Sequence, residues 1–374
     1  MKRIILLGSI LAVFAMSSCN QKVSAKEAAR EKIQVAILLD TSGSMQGLIE
    51  QAKSRLWNIV NTLTTLKYNG KTPDIEIALY EYGSYNRYDG DYIRRITPLT
   101  TDLDLISQEL FVLTAGGSKE YCGTVIRKAT RDLEWGRNEA DMKLIYIAGN
   151  EIFEQGKIPY KQAIKEAIDH NIFVNTIHCG NRDTGIHDFW QDAATRGNGK
   201  FFNIDSNAKV RYIATPYDDE IQRCNMRLND TYISYGRDGS AKKENQRVQD
   251  KNASSISSAN SAERAVSKSK GIYKNTSWDL VDKYKEDKKA LETIEKEYLP
   301  TELQNKSKEE IKAVIEQKEK ERAEIQKQIS ELAVKRQTYI DKQSQNDDLG
   351  DDLGKAINES ILVVAKQKGY AAEK

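Results

Sequence analysis

Imidazole and thiol donors are scarce in this chain, whose 374 residues hold 3 histidines and 4 cysteines. His170, His178 and His187 form no H-E-x-x-H, and no two cysteines make a C-x-x-C, which excludes the zinc signatures built on those spacings. Neither a G-x-G-x-x-G turn nor a Walker loop occurs, so the usual dinucleotide and phosphate cradles are missing as well. Charge of one sign is also lacking, since 57 basic residues stand against 55 acidic ones. That balance argues against nucleic acid as a partner. It makes the 18 tyrosines packing and interface groups rather than base-stacking platforms. Beyond Met16 no run is apolar enough to span a membrane.

What is present begins with Lys2 and Arg3, an apolar stretch from Ile4 to Met16 that is too short for a stable span, and Ser17-Ser18-Cys19. This start resembles the lipobox of a bacterial lipoprotein. The resemblance implies that residues 1–18 are a signal peptide, that Cys19 is acylated, and that residues 19–32 link a lipid anchor to the folded part. Asn20 stands where some bacteria place an aspartate that keeps lipoproteins at the inner membrane, so the resemblance points to the outer membrane of the cell envelope. An uncleaved anchor helix is the alternative. Loss of residues 1–18 removes two positive charges and takes the formal +2 to zero.

From 33 to 205 short apolar runs alternate with amphipathic segments, the pattern of a doubly wound, mostly parallel α/β sheet. Strands are expected at 33–39, 74–82, 92–99, 143–148, 171–178 and 200–204. Leu48, Ala52, Leu56, Ile59, Val60 and Leu63 mark the apolar face of a first helix. Further helices are expected over about 102–113, 121–135, 159–170 and 187–196. Residues 206–235 read as a helix and an extended segment returning across this domain. Residues 236–275, polar and rich in Ser, Asn, Lys and Ala, read as a linker or a loose helix. Over 276–374 the pattern is helical, and Ser307 with Glu310 makes a capping box for a helix over about 308–345. Its seam runs Ile311, Ile315, Lys318, Arg322, Ile325, Ile329, Leu332, Arg336, Tyr339. Three cations in that seam make a poor self-standing coiled coil, so a helical hairpin or arm with neighbouring helices is expected.

The motif that carries chemistry is VAILLDTSGSMQG over 35–47, an apolar strand ending in D-x-S-x-S before an amphipathic helix. Placed so, it resembles the von Willebrand factor A family over about 33–205. The resemblance implies a metal-ion-dependent adhesion site that holds Mg²⁺ (or Mn²⁺) through Asp40, Ser42 and Ser44. Ser118 of LTAGGSKEY stands where the family usually has a threonine. These donors are hard oxygens, as such an ion requires. The chain departs from the family pattern in the third segment, where Gly149 replaces an aspartate; Glu120, Asn150 and Glu151 are then the candidates for support through water. The alternative is a retained turn whose serines cap the following helix.

Export would permit a disulfide, and Cys122 and Cys179 are both expected near one end of the sheet, so a bond between them is a candidate brace. A Cys179–His178 catalytic pair is disfavoured because adjacent strand residues point to opposite faces. An aspartyl-phosphate reading of LLDTSGS lacks the second acid two residues after Asp40. The expectation is therefore a non-enzymatic, lipid-anchored protein that binds a protein partner through a metal, the partner supplying an acidic side chain. A structural envelope scaffold with a metal-free domain is the alternative.

Overall fold

In the computed structural model, which describes residues 30–84, 90–344 and 353–373, the middle of the sheet is β1 (Lys32–Asp40). It sits there because both of its faces are apolar: Ile33, Val35, Ile37 and Leu39 point to one side, Ala36 and Leu38 to the other. The other strands are β2 (Leu66–Tyr68), β3 (Asp74–Ser84), β4 (Ile93–Thr100), β5 (Gly117–Lys119), β6 (Met142–Gly149), β7 (Ile172–Cys179), β8 (Asn198–Ile204) and β9 (Tyr370–Ala372). The main sheet runs β4-β3-β1-β6-β7-β8, with β4 antiparallel and β5 paired to the end of β3, while β2 and β9 form a separate ribbon. Since β1 has β3 on one side and β6 on the other, both parallel, the winding reverses beside it. Such a reversal is where open α/β sheets place their ligands, beyond the carboxyl ends of the strands. The six expected main strands are all present; the missed β2, β5 and β9 have three residues each, too few to show a period.

Fourteen α-helices are found among the described residues: α1 (Gln46–Thr64), α2 (Leu103–Val112), α3 (Cys122–Asp132), α4 (Tyr160–Asp169), α5 (Arg182–His187), α6 (Trp190–Arg196), α7 (Asp218–Asn229), α8 (Gly239–Ile256), α9 (Ser258–Ser269), α10 (Leu280–Glu286), α11 (Ala290–Thr293), α12 (Thr301–Gln304), α13 (Lys308–Ser344) and α14 (Leu353–Gln367). No helix among the described residues is long and apolar enough to cross a membrane. One face of the sheet is covered by α3, α4 and α6, with Val125, Ile126, Ile164 and Trp190 in the core. The other is covered by α1 and α2 together with residues far along the chain.

Three expectations change here. The segment 236–275, read as a linker or a loose helix, forms the helices α8 and α9, and α9 is buried from Ala259 to Ser269. Its small side chains let neighbouring helices approach, and its charged ones are paired inside. Arg264 reaches Asp104 at 2.7 Å and Asp250 at 2.5 Å and stacks over Trp57; Lys268 reaches Asp250 at 3.0 Å and Asn229 at 2.5 Å. The segment 276–374 is not an arm. Ile325 and Ile329 of α13, and Ile357, Ile361 and Val364 of α14, share the core of β1 and α1. The Tyr146 and Ser360 hydroxyls meet at 2.5 Å. From Glu31 onward the chain is one compact unit. The capping box does form, with Ser307 N–H on Glu310 at 2.7 Å and Glu310 N–H on Ser307 at 3.2 Å.

The third change concerns the cysteines, since Cys122, Cys179 and Cys224 are all free. Cys122 belongs to the core on one face of the sheet and Cys179 to the core on the opposite face. The sheet separates the two thiols, so sharing one end of it does not bring them together. Cys19 and the signal-peptide segment lie outside the described residues.

Candidate functional site

Asp40 ends β1 with no exposed surface, and its Oδ1 accepts the Ser42 N–H at 2.7 Å, which bends the chain into a turn. Thr41 ties that turn to β3, its N–H and hydroxyl both donating to the Tyr82 carbonyl at 2.8 and 3.2 Å. The segment after α2 is stitched on as well: Gly116 N–H donates to Thr41 O at 2.8 Å, and Gly43 N–H to Gly117 O at 3.2 Å. The Ser42 and Ser44 hydroxyl oxygens lie 3.5 Å apart, and Asn150 Nδ2 donates to Ser44 Oγ at 3.1 Å. Neither serine caps α1, whose N-cap is Met45 with no side-chain hydrogen bond. The helix-cap reading of the motif is therefore not what the turn does.

Glu120, buried between β5 and α3, brings a second carboxyl against Asp40. Burial raises the Asp40 carboxyl above the usual range; burial and then the Asp40 charge raise Glu120. The exposed Glu151 adds negative charge to both. Asp40 Oδ2 and Asn150 Oδ1 are buried and have no hydrogen-bond partner. Two carboxyl groups in such a place require either a proton between them or a cation across them.

The strand ends leave room for this pair only because two positions lack side chains. At Gly83, with φ of +90°, a Cβ would stand 2.8 Å from Asp40 Oδ1. At Gly149 it would stand 2.5 Å from the Tyr82 hydroxyl and 3.0 Å from Asp40 Oδ2. Tyr82, donating to Ala148 O at 2.9 Å, thus fills the space that an aspartate at 149 would need. Sequence reading missed Tyr82 and Gly83; an aromatic residue and a glycine at the end of a neighbouring strand give no local signal. Of the residues singled out from sequence, Asp40, Ser42, Ser44, Glu120 and Asn150 come together at this turn. Ser118, on β5, is exposed at the rim.

The donors are carboxyl, hydroxyl and amide oxygens, which suit a hard divalent cation and not a soft one. Among the described residues no three His, Cys, Asp or Glu side chains form a metal-binding group, so any cation here depends on the hydroxyls.

Residues 34–215 match the family model described as von Willebrand factor type A domain. Similar solved structures include an aerotolerance-related membrane protein from Bacteroides fragilis, at 18% identity and a TM-score of 0.33, covering 47% of this chain and 93% of that one. Another is BatB, a conserved hypothetical protein from Bacteroides thetaiotaomicron, at 17% identity and a TM-score of 0.36, covering 46% and 90%. The VWA domain of SpRpn10 is 19% identical with a TM-score of 0.34, covering 47% and 88%. No curated protein matches the chain.

Proposed function

Proceeding from a von Willebrand factor type A domain at residues 34–215, we propose that this chain is a binding protein, not an enzyme, that takes up a protein partner through Mg²⁺ or Mn²⁺ held at the end of β1. The observation that carries the reading is the buried Asp40 carboxyl, whose Oδ2 has no hydrogen-bond partner, set in the turn that also holds the Ser42 and Ser44 hydroxyls and with the Glu120 carboxyl brought against it. Asp40, Ser42, Ser44 and Ser118 would hold the ion, with Glu120, Asn150 and Glu151 acting through water. When bound, the ion supplies a Lewis-acidic position for an oxygen of the partner, for which an acidic side chain is the natural donor. The chain's own part is to keep the donors preorganised: the Thr41–Tyr82 and Gly116–Thr41 hydrogen bonds fix the turn before anything binds. Lipid attachment through Cys19 would hold the protein at the cell envelope. Mass spectrometry of the membrane fraction would then find an acylated N-terminal Cys19 and no residues 1–18.

Calorimetry of the full chain with millimolar Mg²⁺ or Mn²⁺ tests the site. Binding heat and a rise in melting temperature are expected, both lost in Asp40→Ala and weakened in Ser118→Ala, where water replaces one oxygen. Absence of both in the wild-type chain overturns the metal reading and leaves a metal-free scaffold.

A further inference from the structure

The residue after Glu120 opens a groove of about 440 Å³ that runs along α3, away from the candidate metal site. Tyr121, the N-cap of α3, stands at its near end, with Tyr92 edge-on at 5.9 Å. Arg127, Lys128 and Arg131 follow down one side of α3, and Lys157 joins them from the loop before α4. Four cations thus face a space that contributes two carboxylates of its own, Asp91 and Asp132. Lys128 pairs with Asp91 at 3.1 Å, and the Arg127 and Arg131 guanidiniums, one turn apart, share the carboxylate of Glu166. That shared grip displays the chemistry the groove offers: paired guanidiniums one helical turn apart take a carboxylate between them, and each keeps donors to spare. Lys157 is exposed. Surface pairs of this kind are weak and exchange readily for others.

We propose that this groove receives an acidic, extended segment of the same partner whose carboxylate reaches the Asp40 site, an assignment that rests on the reading above. From Tyr121 to Arg131 the helix rises about 15 Å, the span of about five residues of extended peptide. One end of such a segment lies at the site and the rest along the cations. The occupant's acidity follows from the lining, where four cations face Asp91, Asp132 and the Glu166 that Arg127 and Arg131 share, an excess of one positive charge, with Lys157 exposed among them.

Labelled penta-glutamate, titrated onto the full chain in Mg²⁺ and again in EDTA, tests the assignment, with penta-glutamine and a ten-nucleotide oligothymidylate as comparisons. Penta-glutamate is expected to bind, and the Lys128→Glu/Lys157→Glu double variant to bind it at least about five-fold more weakly while keeping its melting temperature and its response to Mg²⁺. Equal binding by the variant, or equally tight binding of penta-glutamine or the oligothymidylate, overturns the groove. The two readings separate cleanly. Binding that falls in the double variant but ignores EDTA and Asp40→Ala upholds the groove and removes the metal, whereas Mg²⁺ heat with no effect of the double variant does the reverse.

Discussion

Tyr82 is the residue that most changes what the Asp40 turn can do. Its hydroxyl lies where a third carboxylate would enter, so Gly149→Asp is expected to destabilise the chain by about 1–3 kcal/mol in urea unfolding, as overpacking does. Adding Tyr82→Phe should recover part of that loss, because it removes the oxygen that the new Cβ meets. The carboxyl pair gives a second expectation. Asp40 and Glu120 are both raised by burial, so between the ordinary carboxylate range and their raised values the native chain holds more protons than the unfolded one. Their contribution to stability is full below that window and is lost as pH rises through it. Metal-free melting temperature should therefore fall from pH 5 to pH 8. The stabilisation added by Mg²⁺ should grow over the same range, because the cation then no longer competes with a proton. A stabilisation by Mg²⁺ that shrinks with rising pH would contradict the assignment of the pair.

At the scale of elements, α9 shows why composition misled. A stretch rich in Ser, Asn, Lys and Ala reads as a linker or a loose helix, yet Arg264 and Lys268 are covered completely and Asp250 is held below the usual range, against its burial, by the Lys268 and Arg264 charges. Arg264→Met leaves Asp104 and Asp250 buried with less compensation and is expected to cost about 3–5 kcal/mol. Lys165→Ala, which breaks an exposed pair with Asp169, should leave the urea midpoint unchanged. Two of the three cations in the α13 seam have the same explanation, while Lys318 pairs with Glu321 on its own helix. Arg322 is spent on Asp279, Asp282 and Thr231 and stacks over Tyr232, and Arg336 is spent on Asp218. What weakens the seam as a coiled coil ties the helix to the rest of the fold.

For the whole molecule the consequence is shared stability. Because α14 packs on β6, β7, β8 and α1, and α13 packs on α7 and α9 within the same core, deleting 276–374 should expose that core and give an insoluble or unfolded product. The full chain should melt in one transition by both far-UV and near-UV circular dichroism. Two separate transitions would show that the C-terminal helices fold independently after all.

Local pattern alone determined the main strands, most of the helices around them, the capping box and the D-x-S-x-S turn at a strand end, because each depends on a period or a spacing within a few residues. Tertiary structure alone decided three things. It put Cys122 and Cys179 on opposite faces, since Cys122 belongs to α3, packed on one face, while the register of β7 turns Cys179 to the other. It buried the polar α9, because satisfaction of a charge depends on partners such as Asp104, which stands 160 residues away in sequence. And it set Tyr82 against Gly149, a contact between neighbours of β1 that no spacing along the chain encodes.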